Sequence, residues 1–321
     1  MTARVMDHDA ARARRIDRLR LELIDERIWV EDDGERTDLL VAELDYARHP
    51  HAHENVASRY GAIVMTKEPQ AEQIGDANLL DIAGAKLDIV RLLADGRSSF
   101  VVRTVGRPDR LVCFERTREY ESSAVHLATG ADALVVQRLA RGWLRFTTPH
   151  SVATWDGIQW SMKVLSSRLA ERVQLAIPDA DPVLLANLLE VSAHWLGAGR
   201  IGATIVWNPT GDARDLGHIG LATAVDVPPL DMNIRSHFAA VLNALSQFDR
   251  AALVDATGCI ATVGAHLWSS EASRREIPAL RGTRHTSAVR FSADALGSVV
   301  FVVSSSGTLS VFHGGQRIDA G

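Results

Sequence analysis

The chain has 321 residues, of which 46% are hydrophobic and 23% are charged, as in ordinary soluble globular proteins. This length corresponds to about two domains. A net charge of −5 and a pI of about 6.2 argue against broad binding to nucleic acids or anionic membranes, because such binding needs a cationic face. A phosphate-bearing ligand must therefore be bound by a local group of arginines.

The cysteines and the N-terminal segment indicate in which cellular compartment the protein is expected. Cys113 and Cys259 lie in apolar, strand-like runs, and neither has a neighbour at the spacing of a metal site. The N-terminal segment is rich in Arg and lacks the apolar centre of a signal peptide, and no stretch reaches about 18 consecutive apolar residues. We expect reduced thiols, a cytoplasmic protein and no membrane partner, and the acidic charge disfavours a nucleic-acid partner.

The first 165 residues are predicted to form an α/β domain. Residues 10–27 have apolar residues at helical spacing between arginines and acids, which predicts a surface helix rather than a membrane or RNA contact, because the charges cancel. Residues 60–130 alternate strand-like runs with a helical run at 79–93. Three apolar runs separated by turns at 133–160 predict a small β meander. We place a linker at 166–182, before a second domain at 183–321.

The second domain alternates helical and strand patterns. Asp181 is predicted to cap a helix with Pro182 at its first position. A strand follows at 201–207, and a second helix is predicted to begin at Asp231. The rest of the pattern predicts a helix at about 286–295 and strands at 251–255, 259–265, 298–304 and 308–312.

Two short segments of this domain predict a phosphate or nucleotide site. Asp255 ends an apolar run, so its carboxylate emerges where the strand turns. Further along, Gly282 allows the backbone to approach a phosphate, and Arg284 and His285 supply donors. The helix that follows adds a dipole that favours an anion. Taken singly, Asp255 is also typical of a plain turn, and Arg284 with His285 is typical of a surface pair at a helix start.

The order and spacing of Asp255-Ala256-Thr257 and Gly282-Thr283-Arg284-His285-Thr286 resemble the DAC domain of the DisA-type diadenylate cyclases, which condense two ATP into cyclic di-AMP. The resemblance covers roughly residues 180–318 and implies a mixed-sheet fold with helices on both faces. It implies that Asp255 and His285 are catalytic and that Asp255 contacts a Mg²⁺ or Mn²⁺ ion. It also implies that ATP is bound by Ala256, Thr257, Gly282, Thr283, Arg284, Thr286 and Ser304.

The resemblance implies self-association as well. Each protomer is expected to hold one ATP, and Asp255 to activate a 3′-hydroxyl for attack on the partner's ATP in a face-to-face dimer. We expect Asp255, Thr283, Arg284 and Ser304 to line one pocket at strand ends. By its position, the N-terminal domain resembles the sensor modules that precede divergent DAC domains.

Departures from the family pattern fall at this site and leave a second function open. Ala256 replaces a glycine, and Thr286 replaces the last arginine of Arg-His-Arg. Val254 stands where many members have a histidine, while Ser305 and Ser306 replace acidic residues that commonly follow the serine. The alternative to a cyclase is a catalytically silent receptor that binds a nucleotide or cyclic dinucleotide in the same pocket.

Overall fold

The computed structural model describes residues 2–28, 34–49, 52–53, 56–68, 75–82, 84–140 and 142–318. The chain divides into two compact units, Met1–Val164 and Leu165–Gly321. Each unit contains a large mixed β-sheet with helices packed on both faces. The predicted α/β class is therefore confirmed for both units.

The N-terminal unit has helices α1 Thr2–Asp25, α2 Gly34–Arg48, α3 Leu87–Leu92 and α4 Glu121–Ala131. Its strands are β1 Ala52–His53, β2 Val56–Ala57, β3 Tyr60–Met65, β4 Ala77–Asp81, β5 Ser99–Thr104, β6 Arg110–Phe114, β7 Leu134–Arg138, β8 Leu144–Thr147, β9 Ser151–Trp155 and β10 Trp160–Val164. The main sheet has the order β10-β9-β8-β7-β3-β5-β6-β4, and β1 pairs separately with β2. Within the described part of this sheet, only β3 and β5 are parallel neighbours.

Different helices cover the two faces of this sheet. Leu19 of α1, Leu44 of α2 and Val90 of α3 belong to the buried cluster on one face. Leu127 of α4 packs with Phe100 and other strand residues on the opposite face. The strands β7 to β10 follow one another as antiparallel neighbours, so the predicted meander is present.

A charge network lies inside the N-terminal unit. Glu43 is fully buried and accepts hydrogen bonds from Arg91 at 2.7 and 3.1 Å, from Arg103 and from the Tyr60 hydroxyl. Burial, followed by the charge of Glu43, raises the pKa of Tyr60 well above its usual range. The buried carboxylate is thus paired within its own unit, as buried charges must be.

The C-terminal unit has helices α5 Ser166–Ala176, α6 Pro182–Glu190, α7 Phe238–Gln247, α8 Glu271–Glu276 and α9 Thr283–Asp294. A π-helical turn at Val191–Leu196 continues α6, and 3-10 turns occur at Ala213–Asp215 and Arg235–His237. The strands are β11 Ala203–Trp207, β12 Ile219–Gly220, β13 Val225–Asp231, β14 Ala251–Val254, β15 Cys259–Leu267, β16 Val299–Val303, β17 Leu309–His313 and β18 Gln316–Arg317. They follow the order β12-β15-β14-β11-β16-β17-β18, with β13 also paired to β15.

The central strand β11 shows how this unit is layered. Ile205 faces the cluster formed with α5, α6 and α7, whereas the next residue, Val206, faces the cluster formed with α9. β11 is parallel to β14 and antiparallel to β16. The expected mixed sheet with helices on both faces is confirmed.

The segment 166–182 contains a helix rather than an extended connection. Val173 of α5 is fully buried, and Ile177 and Ala180 join the same core as α6. The Gln174 amide donates to the carbonyls of Pro178 and Ala180 at 2.9 and 3.0 Å. Because its apolar side chains pack into the C-terminal unit, the segment is part of that unit's core, and the limits of the independently folding domains stay a prediction.

Two helix predictions are wrong in detail. Residues 79–93 contain the strand β4 and the short helix α3, because Gly84 has a φ of +80° and breaks the run. The helix predicted from Asp231 begins at Phe238 instead. Asp231 ends β13, and its carboxylate accepts a hydrogen bond from the Asn233 amide at 2.7 Å, which closes a turn.

Candidate functional site

Asp255 directly follows β14 and begins the turn into β15. Its Oδ1 accepts hydrogen bonds from the Thr257 amide, the Thr257 hydroxyl and the Cys259 amide at 2.8, 2.7 and 2.9 Å. Gly258 in the same turn has a φ of +92°, and its missing side chain leaves room for Leu184. The second oxygen of Asp255 has no hydrogen bond within the described chain. The turn therefore orients the carboxylate through one oxygen and leaves the other without a hydrogen-bond partner among the described residues.

The start of α9 is open to an anion. Gly282 precedes the helix with a φ of +98°, and no side chain caps the first turn. The Thr286 amide donates to the Gly282 carbonyl at 3.1 Å, so the amides of Thr283 and Arg284 lie before the first bond of the helix. This end of the helix carries a positive partial charge, which favours phosphate.

Arg284 extends from this first turn across the beginning of β11. Its Nη2 donates to Asp249 Oδ1 at 3.0 Å, and 37% of the side chain is exposed. Its Nη1 lies so close to Gly202 that a Cβ on that glycine would be 2.5 Å away. The same Cβ would be 3.6 Å from the Ser305 amide nitrogen. The guanidinium therefore lies beside the turn that ends β16.

Ser304 begins that turn. Its hydroxyl accepts a hydrogen bond from the Thr308 amide at 3.1 Å and lies 2.7 Å from the Ser306 hydroxyl. Gly307 has a φ of +92°, and a Cβ there would be 2.4 Å from the Gly197 carbonyl oxygen. Close backbone packing between Gly307 and Gly197 thus fixes the turn that begins at Ser304.

The strand register separates Asp255 from the other predicted residues. The Asn208 amide donates to the Val254 carbonyl at 3.0 Å, so Asp255 lies beside the C-terminal end of β11. Val303 pairs with Ala203, so Ser304 lies beside the N-terminal end of β11. Positions 202 and 208 are about 20 Å apart at the usual rise of a strand.

The prediction of one pocket within one chain is therefore wrong. The structure brings Thr283, Arg284 and Ser304 to one edge of the sheet and places Asp255 at the other. The reason is the direction of the strands. β14 is parallel to β11 and β16 is antiparallel to it, so the C-terminal ends of β14 and β16 lie at opposite edges of the sheet. Asp255 follows the first of these ends, and Ser304 follows the second.

The remaining predicted residues have structural partners. The His285 ring packs edge-on against Phe312, with centroids 6.0 Å apart. The Thr286 hydroxyl bonds with Leu280 and Gly282 at 3.0 to 3.1 Å and closes the loop before α9. The Ala256 amide donates to the Gly211 carbonyl at 2.9 Å. Thr257 and Gly282 lie in the two loops already described.

A divalent metal fits this chain only in part. Across the described ranges, no group of three or more His, Cys, Asp or Glu side chains is arranged to hold a metal ion. Val254 is fully buried among apolar residues, so position 254 supplies no ligand. Asp255 offers one carboxylate, which suits a Mg²⁺ held mainly by phosphate and water but does not form a protein site by itself.

Two residues beside Arg284, Gly202 and Asp249, are not among the site residues predicted from the sequence. Gly202 immediately precedes a buried strand, and a glycine in that place is a signal of close approach by another group. Asp249 lies in the polar segment before β14 and has no distinguishing pattern. Only the structure places both residues against Arg284.

Comparison with known families identified two regions. Residues 18–163 match the model of a probable sensor domain, DACNK. Residues 191–317 match the nucleotide-binding domain of the DisA bacterial checkpoint controller, DAC. No curated protein matches the chain.

Two solved structures are similar to part of the chain. A double mutant of DacA from Staphylococcus aureus is 20% identical, with 47% of this chain and 87% of that chain covered and a TM-score of 0.29. A hypothetical membrane spanning protein from Bacillus cereus is 18% identical, with 48% and 89% covered and a TM-score of 0.30. In the chain studied, no described helix has the length and apolar character needed to cross a membrane.

Proposed function

Since residues 191–317 belong to the DAC domain family and residues 18–163 match its DACNK sensor domain, we propose that the chain is a diadenylate cyclase that works as a dimer. One observation carries the proposal: the carboxylate and the phosphate-binding groups occupy opposite edges of one sheet. A reacting centre that needs both then requires two protomers, with Asp255 from one and Arg284 from the other. We place this activity in the cytoplasm.

Substrate binding in this proposal uses the edge around Arg284. The open helix start, the guanidinium and the serine hydroxyls together offer the donors that a triphosphate requires. Each protomer holds one ATP there, and the face-to-face arrangement brings the two nucleotides together.

The chemistry is two phosphoryl transfers. Asp255 accepts the proton of a 3′-hydroxyl, whose oxygen attacks the α-phosphorus of the ATP held by the partner, and pyrophosphate leaves. The same step at the second centre closes the ring, so two ATP give one cyclic di-AMP and two pyrophosphates. Positioning by the Asp255 turn and by the α9 edge lowers the barrier. A bound Mg²⁺ or Mn²⁺ would neutralise phosphate charge.

A silent receptor is the second candidate function. Two observations favour it: the Thr286 hydroxyl is used to close a loop, and the Val254 side chain is buried in the core. Such a receptor would bind ATP or a cyclic dinucleotide at the Arg284 edge without forming a bond.

The test is to incubate the purified chain with ATP and Mg²⁺ or Mn²⁺ and to resolve the products by mass spectrometry. A cyclase gives cyclic di-AMP and two pyrophosphates per product. Nucleotide binding without product, at any protein concentration and with either metal, would contradict the enzyme and support the receptor.

Arg284→Ala tests ATP binding for both candidate functions, the cyclase and the receptor. Loss of a charged hydrogen bond of about 1.5 to 3 kcal/mol should weaken ATP binding about ten- to a hundredfold in calorimetry. Arg274→Ala, which removes an exposed arginine of α8, is the control and should bind as the natural chain does. Equal affinity in both variants would remove Arg284 from the site.

A further inference from the structure

Arg284 is held from two sides before any ligand is bound. On one side, the guanidinium lies against the backbone of Gly202, where any side chain would collide with Nη1. On the other side, Asp249 accepts a hydrogen bond from Nη2 at 3.0 Å. Gly202 does not have a positive φ, so its backbone does not require glycine. A Cβ at position 202 would meet the flexible end of Arg284, so the guanidinium would have to move to make room for it.

The Asp249 carboxylate already pairs with the arginine that is proposed to bind phosphate. Its side chain is 91% exposed, so the pair is screened by water and adds little to the stability of the fold. The carboxylate nevertheless accepts a hydrogen bond from Nη2, one of the donors that a phosphate oxygen would use. It also repels the negative charge of a triphosphate at short range.

We propose that Asp249 competes with nucleotide phosphate for Arg284, while Gly202 forms the slot that keeps this arginine at the edge of the sheet. The inference rests on the proposed function, because it assigns regulation of affinity to the same site. A phosphate that binds Arg284 displaces Asp249, and the guanidinium stays in the Gly202 slot during the exchange. The affinity of the chain for nucleotides is therefore lowered by its own carboxylate.

The two residues have opposite expected effects on binding. Asp249→Asn removes the competing charge and should tighten the binding of ATP and of pyrophosphate by about two- to fivefold, as expected for an exposed ion pair. Gly202→Ala should push the guanidinium out of its slot and weaken binding about tenfold or more. A change in stability alone would not produce effects of opposite sign.

Two matched controls are present in the chain. Asp215→Asn removes the same charge from an exposed residue after the C-terminal end of β11, at the opposite edge of the sheet. Gly217→Ala adds the same methyl group where no atom lies within 4 Å. Calorimetry with ATP and with inorganic pyrophosphate on the full-length chain should give unchanged affinity for both controls. Asp249→Asn that binds no tighter than Asp215→Asn would overturn the competition.

A ligand-free measurement separates this inference from the proposed function. The NMR signal of the Arg284 Nε–Hε group should shift, and its exchange with water should quicken, in Gly202→Ala and in Asp249→Asn but in neither control. If the natural chain binds neither ATP nor pyrophosphate, the proposed function fails, and this signal still tests the positioning of Arg284. An Arg284 signal that both variants leave unchanged shows that neither residue holds the arginine, and the inference is then wrong.

Discussion

The two units of the chain use charged residues in opposite ways. In the N-terminal unit, Glu43 is fully buried and is paired by Arg91, Arg103 and Tyr60. In the C-terminal unit, Asp255 and Arg284 lie in loops at strand ends and are partly exposed. A buried, fully paired charge contributes to specifying a fold, whereas an exposed charge on a rigid turn remains available to a ligand.

A charged residue does not by itself indicate a ligand-binding site, as the contrast between Arg91 and Arg284 shows. Arg91 has a pKa raised beyond its usual range: burial opposes the charged form, but the hydrogen bonds and charges of Glu43 and Tyr60 together outweigh it. The Arg91 guanidinium is buried and donates its hydrogen bonds to carboxylates of its own unit. The Arg284 guanidinium has one exposed carboxylate partner, so a phosphate can replace that partner at small cost.

The largest expected effect comes from disabling separately the two halves of the proposed reacting centre, Asp255 and Arg284. Asp255→Asn should keep ATP binding and lose product by about 10²- to 10⁴-fold, because the amide cannot accept the hydroxyl proton. Mixing Asp255→Asn with Arg284→Ala at saturating ATP should give heterodimers with one intact centre. Such dimers should form one bond and release a linear dinucleotide, which mass spectrometry distinguishes from cyclic di-AMP.

Two outcomes of the mixing experiment would contradict a centre shared between two protomers. If both residues acted within one chain, every centre in the heterodimer would be defective, and no linear product above that of the separate variants would appear. Recovery of cyclic product at the level of the natural chain would equally contradict a centre shared between two protomers.

The second largest effect is expected in the N-terminal unit. Glu43→Gln leaves Arg91 and Arg103 without their buried carboxylate, and such a loss typically costs about 3 to 5 kcal/mol. Urea unfolding followed by fluorescence should show this loss, while Glu115→Gln, an exposed acid of the same unit, should be neutral. ATP binding by the C-terminal unit should persist in both variants. An unchanged unfolding midpoint for Glu43→Gln would mean that the network does not stabilise the unit.

The sequence predicted the strands of the C-terminal unit more completely than it predicted their order in the sheet. The order of strands 251–255, 259–265, 298–304 and 308–312 agrees with β14 to β17, because alternating or continuous apolar runs are local signals. The strand order in the sheet depends on contacts between distant residues. Hence Asp255 and Ser304 were each predicted at a strand end, but their placement at opposite edges followed only from the register with β11.

The third largest effect is expected on the stability of the C-terminal unit when the chain is cut after α5 instead of before it. A fragment 165–321 keeps α5, whereas a fragment 180–321 lacks Val173 and Ile177 and exposes the surface of α6 that they cover. Burial of two aliphatic side chains corresponds to about 3 kcal/mol or more, so the shorter fragment should unfold at a lower urea concentration. Equal midpoints for the two fragments would show that α5 is a true linker.

The smallest expected effect concerns the loop that presents Arg284. Thr286→Val keeps the size of the side chain and removes the hydroxyl that bonds with Leu280 and Gly282, at a cost of about 1 kcal/mol. The loop before α9 should loosen, and calorimetry should show ATP binding weakened by about two- to fivefold. Ser287→Ala removes a neighbouring exposed hydroxyl and should leave the affinity unchanged. A Thr286→Val variant that binds ATP as tightly as Ser287→Ala would mean that the edge around Arg284 keeps its shape without this loop closure.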